Sequence, residues 1–306
     1  MLYIKLQNDI GEENKKLRFF FNNKIYKFKY KFIKLKEEKI ENGELVFLPN
    51  LEKYTYEKLL KYFNIKGITK VCISDDLMNN KKFIDFLKRS NVEILDGKWL
   101  FKHMSFDIVK YICNQKKEKI NYQEVSVLSN NIDRILKQII FDLAKEVKII
   151  NLVTQNENIF KKIEKELYDD YGIILNVNNN YQKSLIKSDI ILNFDFEEEE
   201  LNKYNLNSKA SIINFKEEIN IREKNFSGIN INFFELTIPM KYIRESILLK
   251  EFNTSIFYES LIYKKTSPEN IIKQIKNDKI NINFLNGKNG RIRKNEYLKL
   301  SKKMAN

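Results

Sequence analysis

Cysteine, histidine and glycine are scarce in this sequence, and each shortage excludes a kind of chemistry. Only Cys72 and Cys113 occur, far apart and outside any paired-cysteine motif, so neither a disulfide framework nor a zinc cluster is expected. The single histidine, His103, lies among apolar residues at helical spacing, where a structural role is the more common one. No nucleophile motif accompanies it. We therefore predict no catalytic residue and no metal site.

Long apolar runs are missing as well. No stretch reaches the ~18 apolar residues of a membrane span, and the first residues lack the charged-then-apolar order of a signal peptide. Hydrophobic residues nevertheless form 43% of the 306 residues, which is enough for a sizeable core. The sequence thus predicts a folded cytoplasmic protein that does not associate with membranes.

Basic residues are abundant and concentrate at the two ends of the chain. The formal net charge is +14; residues 1–36 carry ten Lys/Arg and three acidic residues, and residues 264–306 carry twelve and three. If the two ends meet, they would form a patch that attracts a phosphate-bearing partner such as nucleic acid. The competing explanation is compositional, because the chain is rich in Lys, Ile and Asn, a bias that AT-rich genomes impose on all their proteins.

The first 97 residues predict a smaller α/β domain. It begins with a basic β-hairpin, in which Tyr and Phe alternate with Lys over residues 24–36. Helix, strand, helix and strand patterns follow, among them the strand "KVCIS". Asp75 and Asp76 come directly after this strand, where a helix-capping turn is favoured over a metal site. The periodic "KWLFKHMSFDIVKYI" then predicts a connecting helix within residues 98–120.

Residues 121–240 predict a parallel sheet flanked by helices. Val125, Val127 and Leu128 form a short strand, and the next apolar residues make one helix stripe: Ile132, Ile135, Leu136, Ile139, Ile140 and Leu143. Further strand and helix patterns alternate: the strand "KIINLVT", a helix that ends at Gly172, the strand "IILNVN", a short helix "YQKSLIKS", and the strands "DIILNF" and "SIINF". Such alternation is typical of parallel sheets with right-handed crossovers.

Two polar stretches in the second half favour ordinary structure over chemistry. Asp195 and the acids of 197–200 could hold a metal, but they are better explained as a helix start whose cap and first-turn acids complement the helix dipole. Gly287 and Gly290 lie among basic residues that could hold phosphate, yet a hairpin turn is favoured. Residues 241–306 are predicted to form a C-terminal helix and a basic tail.

The order of these patterns over about residues 98–236 resembles a family: the Rossmann-type NAD(P) domain of shikimate dehydrogenases and glutamyl-tRNA reductases. In that family a connecting helix precedes the domain, as "KWLFKHMSFDIVKYI" does, and the fourth strand begins with an Asp, as "KSDIILNF" does. The resemblance implies an α/β fold, with a Rossmann-like parallel sheet domain preceded by the smaller α/β domain. It also implies NAD(P) as the cofactor.

The sequence departs from that family at the turn that binds the dinucleotide. On G-x-G-x-x-G, the glycine positions fall on Ser129, Asn131 and Arg134. Asn131 could tolerate a left-handed conformation, whereas an Arg is expected to prevent close contact between helix and strand. Asp133 is predicted in the first helical turn, where its charge opposes a phosphate. The second strand ends in "VTQN" without the acid that holds a ribose hydroxyl.

Any bound NAD(P) would therefore have to use other side chains. The candidates are Ser129, Asn130 and Asn131 of the first turn, and Thr154 and Asn156 after the second strand, which could hold a 2′-phosphate weakly. The catalytic motifs of the two enzyme families have no counterpart around Pro49, Cys72 or Cys113.

Three functional hypotheses follow from these observations. The first is a non-catalytic, strongly divergent Rossmann-fold protein that binds a ligand or a protein partner, and the missing glycines favour it. The second is an NAD(P)-dependent oxidoreductase with an atypical phosphate-binding turn, which the architecture alone favours. The third is a nucleic-acid-binding protein that uses its basic ends.

Overall fold

The computed structural model describes residues 1–7, 35–41, 43–147, 149–222, 225–239, 241–242, 251–263 and 268–301. The chain divides into two compact units, which we describe separately. Unit 1 comprises Met1–Gly97 and Ile238–Lys264, and unit 2 comprises Lys98–Thr237 and Lys265–Asn306. The basic hairpin predicted over residues 24–36 falls outside the described residues, except for its last two positions.

Strands and helices alternate through most of the described chain. The strands are β1 Leu2–Leu6, β2 Lys36–Ile40, β3 Gly43–Leu48, β4 Lys70–Ile73, β5 Glu93–Ile94, β6 Glu124–Leu128, β7 Ile149–Val153, β8 Asn176–Asn178, β9 Ile190–Asn193, β10 Ser211–Asn214, β11 Ile229–Ile231, β12 Phe233–Thr237, β13 Asn281–Gly287 and β14 Gly290–Arg291. The helices are α1 Lys53–Lys66, α2 Asp75–Met78, α3 Lys81–Arg89, α4 Lys98–His103, α5 Ser105–Lys116, α6 Arg134–Ala144, α7 Glu157–Tyr171, α8 Glu198–Leu201, α9 Thr254–Ile262, α10 Pro268–Asn277 and α11 Lys294–Lys299. The α/β class predicted from the sequence is confirmed.

Unit 1 is built on a five-stranded sheet of order β2-β3-β1-β4-β5. All neighbours pair in parallel except β2, which runs antiparallel to β3. Strand β4, the "KVCIS" stretch, is buried from Val71 to Ile73, and Leu59, Phe83 and Leu87 of helices α1 and α3 pack into the same core. The small α/β arrangement expected at the start of the chain is therefore present.

Unit 2 contains a six-stranded sheet of order β11-β10-β9-β6-β7-β8, parallel throughout. Counted along the chain from β6, this is the order 3-2-1-4-5-6 of the Rossmann fold. Strands β9 and β10 are buried along their whole length, as is usual for parallel strands covered on both faces. The fold reverses its direction of winding between β6 and β9, and this place defines the switch point of the sheet.

The first crossover helix of unit 2 packs as its periodicity predicted, with one exception. Leu136, Ile139, Ile140 and Leu143 are buried, whereas Ile135 is only half-buried. The next crossover helix, α7, ends at Gly172, whose φ of 66° is the left-handed conformation that favours glycine. The later part of the unit adds an antiparallel sheet, β12-β13-β14, in which Gly287 pairs with Gly290. The basic glycine stretch is thus a hairpin, as predicted.

Two predicted helices differ from the observed structure. Residues 181–188 form turns, because the Asn180 side chain accepts hydrogen bonds from Gln182 N–H (3.0 Å) and Lys183 N–H (3.1 Å). Such local bonds offer the backbone an alternative to a helix. The connecting segment forms two helices, α4 and α5, which are interrupted at Met104; the hydroxyl of Ser105 bonds the Lys102 carbonyl there. The domain boundaries assigned from the sequence stay predictions.

Candidate functional site

The carboxyl edge of the unit 2 sheet, at its switch point, is where open α/β sheets bind ligands. Residues 129–134 connect β6 to α6, and we call them the first turn. Residues 154–156 connect β7 to α7, and we call them the second turn. All five residues predicted to hold a dinucleotide belong to these two turns.

The first turn is occupied by a carboxylate of the chain itself. Asp195, two residues beyond β9, accepts hydrogen bonds from Asn130 N–H (2.9 Å and 3.1 Å to its two oxygens) and from Asn131 N–H (3.2 Å). Its Oδ2 lies 3.0 Å from Ser129 Oγ and 3.4 Å from Asn131 Nδ2. Since Ser129 Oγ is also 2.7 Å from the Asn131 carbonyl, its one proton serves one acceptor at a time. Asp195 is therefore bound as an anion by successive backbone amides.

Asp195 is held in place by its neighbours along the chain. Phe194 and Phe196, on either side, are 7% and 2% exposed, so both rings anchor the segment in the core. The Asn193 side chain accepts a hydrogen bond from Phe196 N–H (3.0 Å) and donates one to the Phe196 carbonyl (3.1 Å). The position of the Asp195 carboxylate is thus fixed before any ligand arrives.

The Asn130 side chain links the first turn to the second. Its Oδ1 accepts a hydrogen bond from Gln155 N–H at 2.8 Å, and its Nδ2 donates to Glu200 Oε1 at 3.0 Å. Gln155 in turn donates to the hydroxyls of Tyr181 and Tyr204, each at 3.3 Å. Burial raises the pKa of Tyr204 to about 12, so this hydroxyl stays neutral near pH 7. Asn130 therefore has its donors and its acceptor engaged within the protein.

Thr154 and Asn156 of the second turn are placed differently from each other. Thr154 is fully buried, and its hydroxyl accepts a hydrogen bond from Asn156 N–H at 3.0 Å. Asn156 is exposed at the start of α7 and makes no side-chain cap there. The structure thus leaves Asn156 accessible at the ribose position, whereas the Thr154 hydroxyl is engaged inside the protein.

Helix α6 begins one residue later than the sequence predicted. Asp133 is its N-cap and accepts a hydrogen bond from Leu136 N–H at 2.7 Å. Lys102 Nζ lies 2.7 Å from the other carboxylate oxygen. Partial burial alone would raise the pKa of Asp133, but the Leu136 amide and the Lys102 ammonium hold that pKa below its usual value. The positive end of the helix is thereby neutralised by the protein itself.

The first turn also differs from the expected geometry at its other non-glycine positions. Asn131 does not adopt a positive φ, and neither does any other residue of the turn. Arg134 is exposed, so the prediction that it obstructs contact between helix and strand is wrong. The turn reaches its shape without glycine because its backbone stays in conformations open to all L-residues.

The residues most suited to covalent or acid–base chemistry are buried and serve structural roles. His103 is 6% exposed, its Nδ1 lies 2.9 Å from the Trp99 carbonyl, and burial lowers its pKa. Cys72 and Cys113 are free and buried, and desolvation raises the pKa of each thiol. Neither cysteine has the thiolate character that nucleophilic or redox chemistry requires.

The remaining sequence candidates have structural contacts where they are described. Glu197 is the N-cap residue of the short helix α8 but makes no side-chain cap, and Glu198 pairs with Arg222 at 3.0 Å. Asp75 and Asp76 form the first turn of α2. Within the described residues no group of three or more His, Cys, Asp or Glu side chains is placed to hold a metal ion. None of the helices described there is long and apolar enough to span a membrane.

Asp195 is the site residue that sequence reasoning missed. It was assigned to the cap of the following helix, but its carboxylate turns instead to the first turn, 66 positions earlier at Ser129. The signal was available: Asp195 follows the "DIILNF" strand, and in the Rossmann order this strand lies beside β6. The contact depends on strand order, which local patterning does not contain.

Comparisons with known proteins give a consistent but distant picture. No family model and no curated protein matches the chain. Among solved structures, L-tryptophan dehydrogenase from Nostoc punctiforme is 11% identical, with 90% of this chain and 78% of that chain covered and a TM-score of 0.34. The apo form of Rhodotorula graminis D-mandelate dehydrogenase is 8% identical, with 74% and 76% covered and a TM-score of 0.31. For a dipicolinate synthase chain from Bacillus halodurans the values are 11%, 47%, 49% and 0.32.

The Rossmann-like domain expected from the sequence is present, and its assignment rests on the strand order and register of this chain. The particular likeness to shikimate dehydrogenases and glutamyl-tRNA reductases stays a prediction.

Proposed function

We propose that this chain is a Rossmann-fold binding protein without dinucleotide chemistry, which recognises a ligand or a protein partner. One observation carries the proposal: the amides of Asn130 and Asn131, where a dinucleotide would place its diphosphate, donate to Asp195. A diphosphate would have to displace this carboxylate and overcome its charge. Asp133 adds a second negative charge at the start of α6, where phosphate is normally attracted.

The absence of catalytic candidates among the described residues supports the same proposal. His103, Cys72 and Cys113 are buried, and each pKa is shifted toward the uncharged form. General acid–base or nucleophilic catalysis needs such a group within reach of a substrate. The three side chains instead contribute to the packing of their units.

An NAD(P)-dependent oxidoreductase is the second candidate, and the strand order 3-2-1-4-5-6 favours it. In that case Ser129, Asn130 and Asn131 would hold the diphosphate after Asp195 moves away, and Asn156 would meet the ribose. Nucleic-acid binding through the basic ends stays a prediction, since much of both ends lies outside the described residues.

Isothermal titration of the wild-type protein with NAD⁺, NADH, NADP⁺ and NADPH separates the first two candidates. We expect no binding or only weak binding for all four. A dissociation constant in the low micromolar range for any of them would refute the binding-protein proposal and establish the oxidoreductase as the better one.

A further inference from the structure

The first turn has the donors of an anion site even though it has no glycine. Two successive main-chain amides, those of Asn130 and Asn131, converge on one carboxylate, and the Ser129 hydroxyl lies 3.0 Å from the same group. Successive backbone N–H groups of this kind form anion-binding concavities. The bound carboxylate shows that the turn performs this role now.

We propose that Asp195, and not the missing glycines, is the residue that excludes phosphate groups from this site. Asp195 is a resident anion on a turn that retains its affinity for oxyanions. This inference rests on the proposed function, because it supplies the reason why dinucleotides are rejected.

Attachment to the chain gives Asp195 its advantage over a free ligand. The carboxylate is held between the buried rings of Phe194 and Phe196, and Asn193 fixes the backbone beside it. A tethered group of this kind acts at an effective concentration on the order of millimolar or higher. A free phosphate must compete with that concentration and also approach the negative charge of Asp195.

The glycine explanation predicts something different, so the two can be separated. If glycines were decisive, changing Ser129, Asn131 and Arg134 together to Gly would create a phosphate site while Asp195 remained. The structure gives no reason for this result, because the turn has no positive φ and Arg134 is exposed. We expect the triple variant to bind no better than wild type.

The test is calorimetric titration of the full chain with inorganic pyrophosphate. Asp195→Ala should bind pyrophosphate more tightly than wild type by about tenfold to a hundredfold, the range set by hydrogen bonds to a charged group. Glu199→Ala is the matched control, because Glu199 is an exposed acid of the same segment and its removal changes the net charge equally. Equal affinity in wild type and Asp195→Ala, or an equal gain in Glu199→Ala, would overturn the proposal.

A second measurement avoids dependence on the fold of one variant. Amide hydrogen exchange should show protection at Asn130 and Asn131 in wild type, and loss of it in Asp195→Ala and in Asp195→Asn to a lesser degree. Unprotected amides at both residues in the wild type would contradict the proposal without any substitution. Tight NAD(P) binding by the wild type would instead refute the proposed function, so the two failures are distinguishable.

Discussion

The first and second turns of the unit 2 sheet follow neighbouring parallel strands, yet they are closed in opposite ways. Carboxylates close the first turn: Asp195 binds its amides and Asp133 caps the helix that follows. Neutral groups close the second: the Thr154 hydroxyl accepts from Asn156 N–H, and the Asn130 amide oxygen accepts from Gln155 N–H.

This difference matches the ligand that each turn would meet in a dinucleotide-binding protein. The first turn faces the diphosphate, and the second faces a ribose. Negative charge lies only where an incoming group would also be negative. The chain thus keeps the Rossmann shape while supplying, from its own residues, the anion that the shape is suited to bind.

The largest expected effect is the loss of Asp195. Asp195→Ala leaves the amides of Asn130 and Asn131 without their partner, which should cost about 1–3 kcal/mol in the free energy of unfolding of unit 2. Urea denaturation measures the change, with Glu199→Ala as the control that should stay close to wild type. If both variants lose stability equally, Asp195 has no special role in the first turn.

Removal of the helix cap should follow in size. Asp133→Ala deletes the acceptor for Leu136 N–H, a loss that typically costs about 0.5–2 kcal/mol. Asn156→Ala is the matched substitution at the start of α7, and it should be nearly neutral because Asn156 makes no side-chain cap. Denaturation of both variants side by side tests the comparison, and an equal loss would contradict it.

Acid should weaken the first turn through Asp133. The pKa of Asp133 is lowered in the folded state from a reference value of 3.8. Its charge therefore contributes stability that is fully present above pH 3.8 and is lost as the pH falls through the lower folded value. Asp133→Asn keeps a cap acceptor and cannot ionise, so its stability difference from wild type should shrink toward zero as the pH falls through that range. A difference that stays constant in urea titrations across that range would show that the charge contributes nothing.

Most of the fold could be predicted because its signals are local. The helix stripe from Leu136 to Leu143 and the stop at Gly172 depend on spacing and on one backbone conformation. The predicted helix over 181–188 was wrong because the Asn180 side chain competes for the backbone amides. A polar side chain of this kind leaves no mark on hydrophobic periodicity.

The site was only half predictable, for a different reason. Ser129, Asn130 and Asn131 follow directly from the strand that precedes them. Asp195 meets them only because β9 pairs with β6, a contact between distant parts of the chain. Its acidic neighbours also offered a local explanation, a helix cap, that satisfied every nearby residue. Long-range pairing decided between the two, and the sequence alone does not encode it in a short pattern.

The smallest effect is expected at the second turn, and it completes the comparison. Gln155 is exposed, and its side chain reaches the hydroxyls of Tyr181 and Tyr204 at 3.3 Å each. Gln155→Ala removes these bonds but keeps the Gln155 N–H that Asn130 accepts. Since water can replace an exposed amide, the free energy of unfolding should change by no more than about 0.5 kcal/mol. Asn130→Ala, in contrast, removes the acceptor itself and should cost about 0.5–1.5 kcal/mol. If Gln155→Ala proved the more damaging of the two, the second turn would depend on its side chains rather than on the backbone link to the first.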